Sequence, residues 1–341
     1  MARRVLAAAA VAGGLAVGGL VLAAGLHRVP VWALIRTGVA VDLPWQRAVG
    51  LETGINGRRY GPLAFVSLGG DGFLVADTYR HRLLELRGGQ LRGAIPLPDS
   101  VVESLAVGPH GRIYAGDNLK VRVFTLNGAR QEWTLGLPHR TGAVWSLAPA
   151  PGGGIYASVI QVGQGELTGE LARYSAGGQR EAVLAARTVG PQGQARAPIP
   201  GALDAFVSEV AAGPGDRLYA LLEGGARRTR TVAVWNGGQG RPQEVRLQSP
   251  LPLATAELLG VDARGRLYLA VNMATAAPRL EVFRPDGRLL AAAVLPPEAA
   301  GAAVWGQVRP GGTCYLVENT ASAYRVVRWR LREGRRWQWH L

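Results

Sequence analysis

Cysteine is nearly absent from this chain: Cys314 is the only one in 341 residues. A single thiol excludes any disulfide within the chain and any metal site built on cysteine pairs. Cys314 stands in the apolar slot before Tyr315, where Ile or Leu stands in other copies of a repeat described below, and reads as a buried, inert thiol. Lysine is equally scarce. Lys120 is the only one among 38 Lys and Arg, so arginine carries the basicity. Acidic residues number only 24, and the formal net charge is +14. An arginine preference is that of GC-rich coding sequence, but it does not account for the shortage of acids. A basic surface facing anionic lipid, cell-wall polymer or nucleic acid would account for it. Nucleic-acid binding requires arginines interleaved with exposed aromatics. The densest cluster, Arg325 to Arg332 with Arg335, Arg336 and Trp337, instead alternates like a strand with one wet face, so no nucleic-acid partner is expected. Histidine numbers five, too few and too scattered for a zinc centre, and no HExxH, CxxC, phosphate loop or Ser/His/Asp grouping is present.

Charged residues make up 18% of the chain and hydrophobic residues 48%, which excludes bulk disorder and leaves ample material for a core. The 48 Gly and 21 Pro suit an all-β protein with many tight turns.

Arg3 and Arg4 precede an uncharged run from Val5 to Leu26. A helix of that length reaches about 33 Å, enough for a hydrocarbon core of about 30 Å. Two readings follow. One is an uncleaved signal anchor with Arg3 and Arg4 held in the cytoplasm. The other is a cleaved signal peptide ending near Val21-Leu22-Ala23. The run exceeds the usual signal-peptide core of about 7–15 residues, which favours the anchor. No cysteine lies near it, so it is not read as a lipoprotein leader. Both readings place the remainder outside the cytoplasm, as a single-pass membrane protein or a secreted one.

A short phrase recurs along the rest of the chain: a small residue, a spacer, an apolar residue, then Tyr. Copies end at Tyr114, Tyr156, Tyr219, Tyr268 and Tyr315, and a diverged sixth is Asp71-Gly72-Phe73-Leu74. Spacings of roughly 40 to 60 residues, with four strand-like segments per unit, are those of a propeller. Around residues 104–135 the plan is plainest: Ser104–Val107, a Gly-Pro-His-Gly turn, Arg112–Ala115, the alternating Val121–Thr125, an Asn127-Gly128 turn, then Gln131–Leu135.

The stretch from Pro62 to Leu86 resembles an NHL repeat, most specifically in Val75-Ala76-Asp77-Thr78 and His81-Arg82. Asp117 keeps the same place in the second copy, and later copies keep only the turn and the tyrosine. The resemblance covers about residues 60–341 and implies a six-bladed β-propeller of the NHL or TolB-like type. The expected organisation is therefore all-β: an anchor helix at 1–28, a membrane-proximal segment at 29–60, and a six-bladed propeller at 61–341. The last copy reads as a complete blade of four strands ending at Trp337-Gln338-Trp339, which leaves 29–60 as a closing strand, an outer packing segment or a stalk.

In a propeller, the loops between second and third strands and the starts of the first strands gather on one face. Counting along the repeat places Asp77, Asp117, Asn118, Asn272, Glu318 and Asn319 in the first set, along with Thr78 and Glu223. Glu103, Trp145, Ser208 and Glu257 fall in the second. No motif requires a cofactor, but a ring of oxygen donors at the channel mouth could hold a hard cation such as Ca²⁺. Asp77 and Asp117 have an ordinary structural reading as turn caps. Two long departures, Gln161–Glu170 and Arg187–Leu203, read as extended loops on the binding face. The function expected is a membrane-anchored, non-catalytic binding or scaffold module for an envelope protein, a glycan or another polymer. The alternative is a Ca-dependent hydrolase of lactonase type using the channel-mouth carboxylates.

Overall fold

The computed structural model describes residues 26–339 apart from 51, 54–58, 119, 127–129, 136–140, 196–198, 274–275 and 302–305. The expected anchor helix lies outside them up to residue 25. Leu26, the last residue of the apolar run, already begins a strand, and among the described residues no helix is long and apolar enough to cross a membrane.

Six antiparallel four-stranded sheets form the molecule. Blade one is Ala64–Gly69, Gly72–Asp77, Arg82–Arg87 and Gln90–Pro96; blade two is Val102–Val107, Ile113–Asp117, Lys120–Phe124 and Arg130–Thr134. Blade three is Gly142–Pro149, Ile155–Gly163, Glu166–Tyr174 and Arg180–Val189; blade four is Val207–Ala212, Arg217–Leu222, Thr229–Asn236 and Gln239–Gln248. Blade five is Leu253–Val261, Leu267–Met273, Arg279–Phe283 and Leu289–Val294. Each first strand contacts the first strands of both neighbouring blades, and blade six touches blade one, so the ring is closed.

Of the alternatives for 29–60 the structure takes the closing strand, and the last blade differs from the expected four strands of its own. Blade six has three strands of its own: Gly306–Val308, Thr313–Asn319 and Ala323–Trp339. Its outermost strand is the N-terminal Leu26–Pro44, paired from Leu43↔Tyr324 down to Leu26↔Trp339. The arginine-rich stretch does not fold back on itself. Its one internal glycine, Gly334, stays in the ladder opposite Val31, and nothing there supplies the two-residue turn that a further strand would need. The expected loop at 161–170 is likewise a lengthened hairpin. Pairing runs to Gly163↔Glu166, and Gln164 and Gly165, at φ 52° and 77°, close it as a tight turn.

Second strands are buried along their length, as in Gly72–Asp77 and Ile113–Asp117, because blades cover both their faces. They therefore read as continuous apolar runs. The repeated phrase has two jobs. Its first residue takes a left-handed conformation that ends the turn between strands one and two: Gly111, Gly153, Gly265 and Gly312 lie at φ 70°, 86°, 73° and 77°, and Asp216 adopts 57° in blade four. Its tyrosine is buried and reaches the next blade. Tyr114 donates to Gly153 O at 2.5 Å and Tyr268 to Gly312 O at 3.4 Å. Tyr315 packs edge-on against Phe73 across the blade six–one seam. The apolar core is thus six clusters, one at each seam between neighbouring blades.

Candidate functional site

The first strands enclose a central channel with a cavity of about 540 Å³. The lining is mostly apolar, alanines such as Ala106, Ala148 and Ala211 standing beside larger Leu and Val residues, with Glu103, Trp145, Glu209 and Glu257 set among them. These four lie in the half of the channel nearest the loops that join strands two and three. Among the described residues none that lines the cavity is Arg, Lys or His, although the chain carries a net +14.

A recurrent backbone irregularity aims three of these side chains, Glu103, Trp145 and Glu209, while Glu257 stays in regular register with Ala270. The pairing of first with second strands slips between Val102 and Ser104, between Val144 and Ser146, and between Val207 and Val210. Such bulges place an extra residue on the inner strand and turn its side chain away from the ladder. The extra residues are Glu103, Trp145 and the pair Ser208-Glu209. Each bulge also frees backbone groups from the sheet, and the neighbouring blade satisfies them. Ser104 Oγ donates to Val144 O (2.9 Å), and Ser158 Oγ to Val207 O (2.7 Å). Val210 N–H donates to Ser146 Oγ (3.1 Å), and Ser67 N–H to Gln307 Oε1 (2.7 Å).

Glu209 takes the slot that Ser104 and Ser146 occupy in blades two and three. It accepts from Leu258 N–H of blade five at 3.5 Å, as Ser146 accepts from Val210, and its own neighbour Ser208 Oγ donates to it at 2.7 Å. Burial pushes its carboxyl up to about 7, and the Glu223 carboxylate at the rim adds to that. Ser208, the Leu258 amide and the Trp145 indole pull the other way. Burial also raises Glu103, helped by Asp117. Trp145, 51% exposed, presents a large aromatic face to water beside them.

The residues expected on this face divide into two groups. Glu103, Trp145 and Glu257 meet in the channel. Asp77, Asp117 and Glu318 are buried and engaged within the fold. Asp77 Oδ1 accepts from Gly50 N–H and Oδ2 from Arg82 Nε, both at 2.8 Å. Asp117 Oδ1 accepts from Val101 N–H (3.1 Å) and from Asn118 Nδ2 (2.9 Å). Glu318 holds Arg36 of the closing strand at 2.8 Å; burial raises its carboxyl against the pull of that guanidinium. Asn118 is exposed on its turn, Asn272 donates to Thr255 Oγ1 at 3.0 Å, and Asn319 is half-buried at the end of its strand. Ser208 is buried and faces Glu209 and Leu221 rather than the cavity. Glu209 itself was not among the expected residues. Among the described residues no three of His, Cys, Asp and Glu gather as ligands for a metal ion.

No protein-family model matches the sequence, and no curated protein matches it. Among solved structures the chain is similar to a streptogramin B lyase, at 12% identity and a TM-score of 0.52 over 88% of this chain and 98% of that one. It is also similar to the calcium-binding protein regucalcin from Agrobacterium tumefaciens, at 12% identity and 0.49 over 87% and 94%. A gluconolactonase from Xanthomonas campestris stands at 14% identity and 0.46 over 90% and 100%. At such identities the likeness is one of fold.

Proposed function

We propose that this protein is a non-catalytic binding propeller, tethered to a membrane by its N-terminal apolar run and held outside the cytoplasm, which receives a positively charged group in the mouth of its channel. The group belongs to a small organic ligand or to a basic segment of an envelope partner. The observation that carries this reading is the composition of the cavity: three glutamates and an exposed tryptophan, with no basic side chain, at the centre of an arginine-rich molecule. Carboxylates in a narrow, partly dry channel attract a cation more strongly than they would in water. The face of Trp145 adds a cation–π contact. Ser104 is committed to a backbone carbonyl, and Ser208, the one serine that donates to a channel glutamate, is buried and turned toward Leu221 rather than into the cavity, so among the described residues no nucleophile paired with a base faces the channel.

Titration calorimetry of the full chain with organic ammonium ions and with an arginine-rich peptide tests this. Binding in the micromolar to millimolar range should weaken about tenfold in Glu209→Gln or Glu257→Gln and fall with added salt. No heat from any cation, or binding untouched by these substitutions, overturns it. The hydrolase reading has one observation in its favour: a carboxyl near neutrality beside a cavity suits a general base. Lactone turnover that is lost in Glu209→Gln would replace the binding reading with that one.

A further inference from the structure

We propose that the opposite face of the ring, built from the turns between strands one and two and between strands three and four, docks on an anionic lipid surface and so points the channel mouth away from the bilayer. The proposal extends the tethered reading above. The first observation is the distribution of charge. In blades four and five Arg264, Arg284 and Arg288 are exposed on these turns and Arg217 and Arg241 in the strands beside them, with Asp216 and Asp286 exposed on the turns and Glu244 farther along the strand of Arg241. The other face mixes its exposed Arg47, Arg227 and Arg228 with exposed Asp99, Asp204, Glu223 and Glu298, and holds the channel glutamates as well.

The second observation is contiguity. Ala263 N–H of the blade five turn donates to Pro310 O of the blade six turn at 2.8 Å, and Gly237 N–H donates to Asp216 O within blade four at 3.1 Å. The Gly287 turn of blade five lies so close to Arg246 O of blade four that a Cβ there would clash with it, so the turns of blades four, five and six adjoin one another.

The third is the position of the chain's ends. The second strand of blade six stops pairing at Thr313↔Arg330, but the N- and C-terminal strands continue together to Leu26↔Trp339. At about 3.4 Å per residue this ribbon projects roughly 30 Å from the arginine-bearing face. Its register sets Arg28 opposite Trp337 and Val29 opposite Arg336. Near the ring, the Arg266 guanidinium lies 5.4 Å from the centroid of the Trp32 ring, which ties the ribbon to the blade five turn. Leu26 is where the Val5–Leu26 apolar run ends. A span inserted through that run emerges at the far end of a ribbon rich in Arg and Trp, the residues favoured at the headgroup level; with the ribbon lying along the headgroups, the arginine patch, on the side of the ring from which the ribbon leaves, meets the same surface. Guanidinium groups pair bidentately with phosphate, so the occupant is a lipid phosphate layer.

The test uses the full chain with phosphatidylcholine vesicles, with and without phosphatidylglycerol, read by flotation in alkaline carbonate and by hydrogen exchange. The expected result is flotation with both vesicles. Exchange at residues 213–217, 262–266 and 284–288 should slow by about tenfold only with the anionic lipid, as a few arginine–headgroup contacts suffice to give. Residues 222–229 on the far face should not change. Replacing the five arginines with glutamine should remove the protection and leave flotation intact. Flotation with both vesicles but equal exchange overturns the docking face and leaves the tether. Flotation only with the anionic vesicles, with the turns protected, overturns the tether and keeps the docking face. No flotation at all, or protection confined to the far face, overturns the proposal.

Discussion

Glu209 shows how a single side chain can serve the fold and the site together. Its carboxylate stands in for a serine that links one blade to the next, and its extra length carries charge into the channel. Because its carboxyl titrates near 7 in the folded protein and in the ordinary carboxylate range when unfolded, the folded form holds the extra proton between those values. Stability therefore falls as pH rises from about 4.5 to about 7, by up to about 3 kcal/mol, and levels off above. Thermal unfolding across that range should show this slope in the native chain and a flatter one in Glu209→Gln, which should be the more stable of the two at pH 8. A cation bound beside the ionised form should bind better at pH 8 than at pH 6. Counting along the repeat finds Glu103, Trp145 and Glu257 but stops at Ser208 in blade four. There the irregularity spans two residues instead of one, and nothing in the local sequence marks the second.

At the scale of strands and turns, the legible parts were those fixed by local chemistry. Left-handed turn residues and the following tyrosine repeat because every blade must close the same turn and fill the same seam. Tyr114→Phe removes one hydroxyl contact to the adjoining blade and should cost about 1 kcal/mol in denaturant unfolding. Asp77 is a harsher case. Truncating it to Ala leaves the Gly50 amide and Arg82 Nε without their acceptor, with only the Arg82 Nη2 bond to Ala48 O remaining, and a loss of about 3 kcal/mol is expected by the same measurement. The hairpin at 155–174 and the unbroken strand from Ala323 to Trp339 were not legible. Length of pairing depends on a partner strand, and in the second case the partner is at the other end of the chain.

For the whole molecule, stability rests on a ring whose last seam joins the two ends of the sequence. Val41, 1% exposed, packs there among Val326, Tyr324 and Phe65. Val41→Ala should lower stability by about 2 kcal/mol. Cys314, on the other face of blade six in its seam with blade five, reports whether the whole blade opens. It is wholly buried in blade six, and burial also raises its pKa, so a thiol reagent should leave the native protein unmodified at neutral pH and label it once unfolded. Labelling should be faster in Val41→Ala than in the native chain. An equal rate would mean that blade six opens independently of its outer strand.

That seam also sets a schedule. Arg36 must find Glu318 across 282 positions, and no earlier segment can take the place of the strand that Leu26–Pro44 requires. At a synthesis rate of about 5–20 residues per second, the first strand to be made waits on the order of 15 to 60 s for its partner. During that interval five blades can assemble in order while the opening segment stays uncommitted. The strands of blade six decide whether an open crescent becomes a ring.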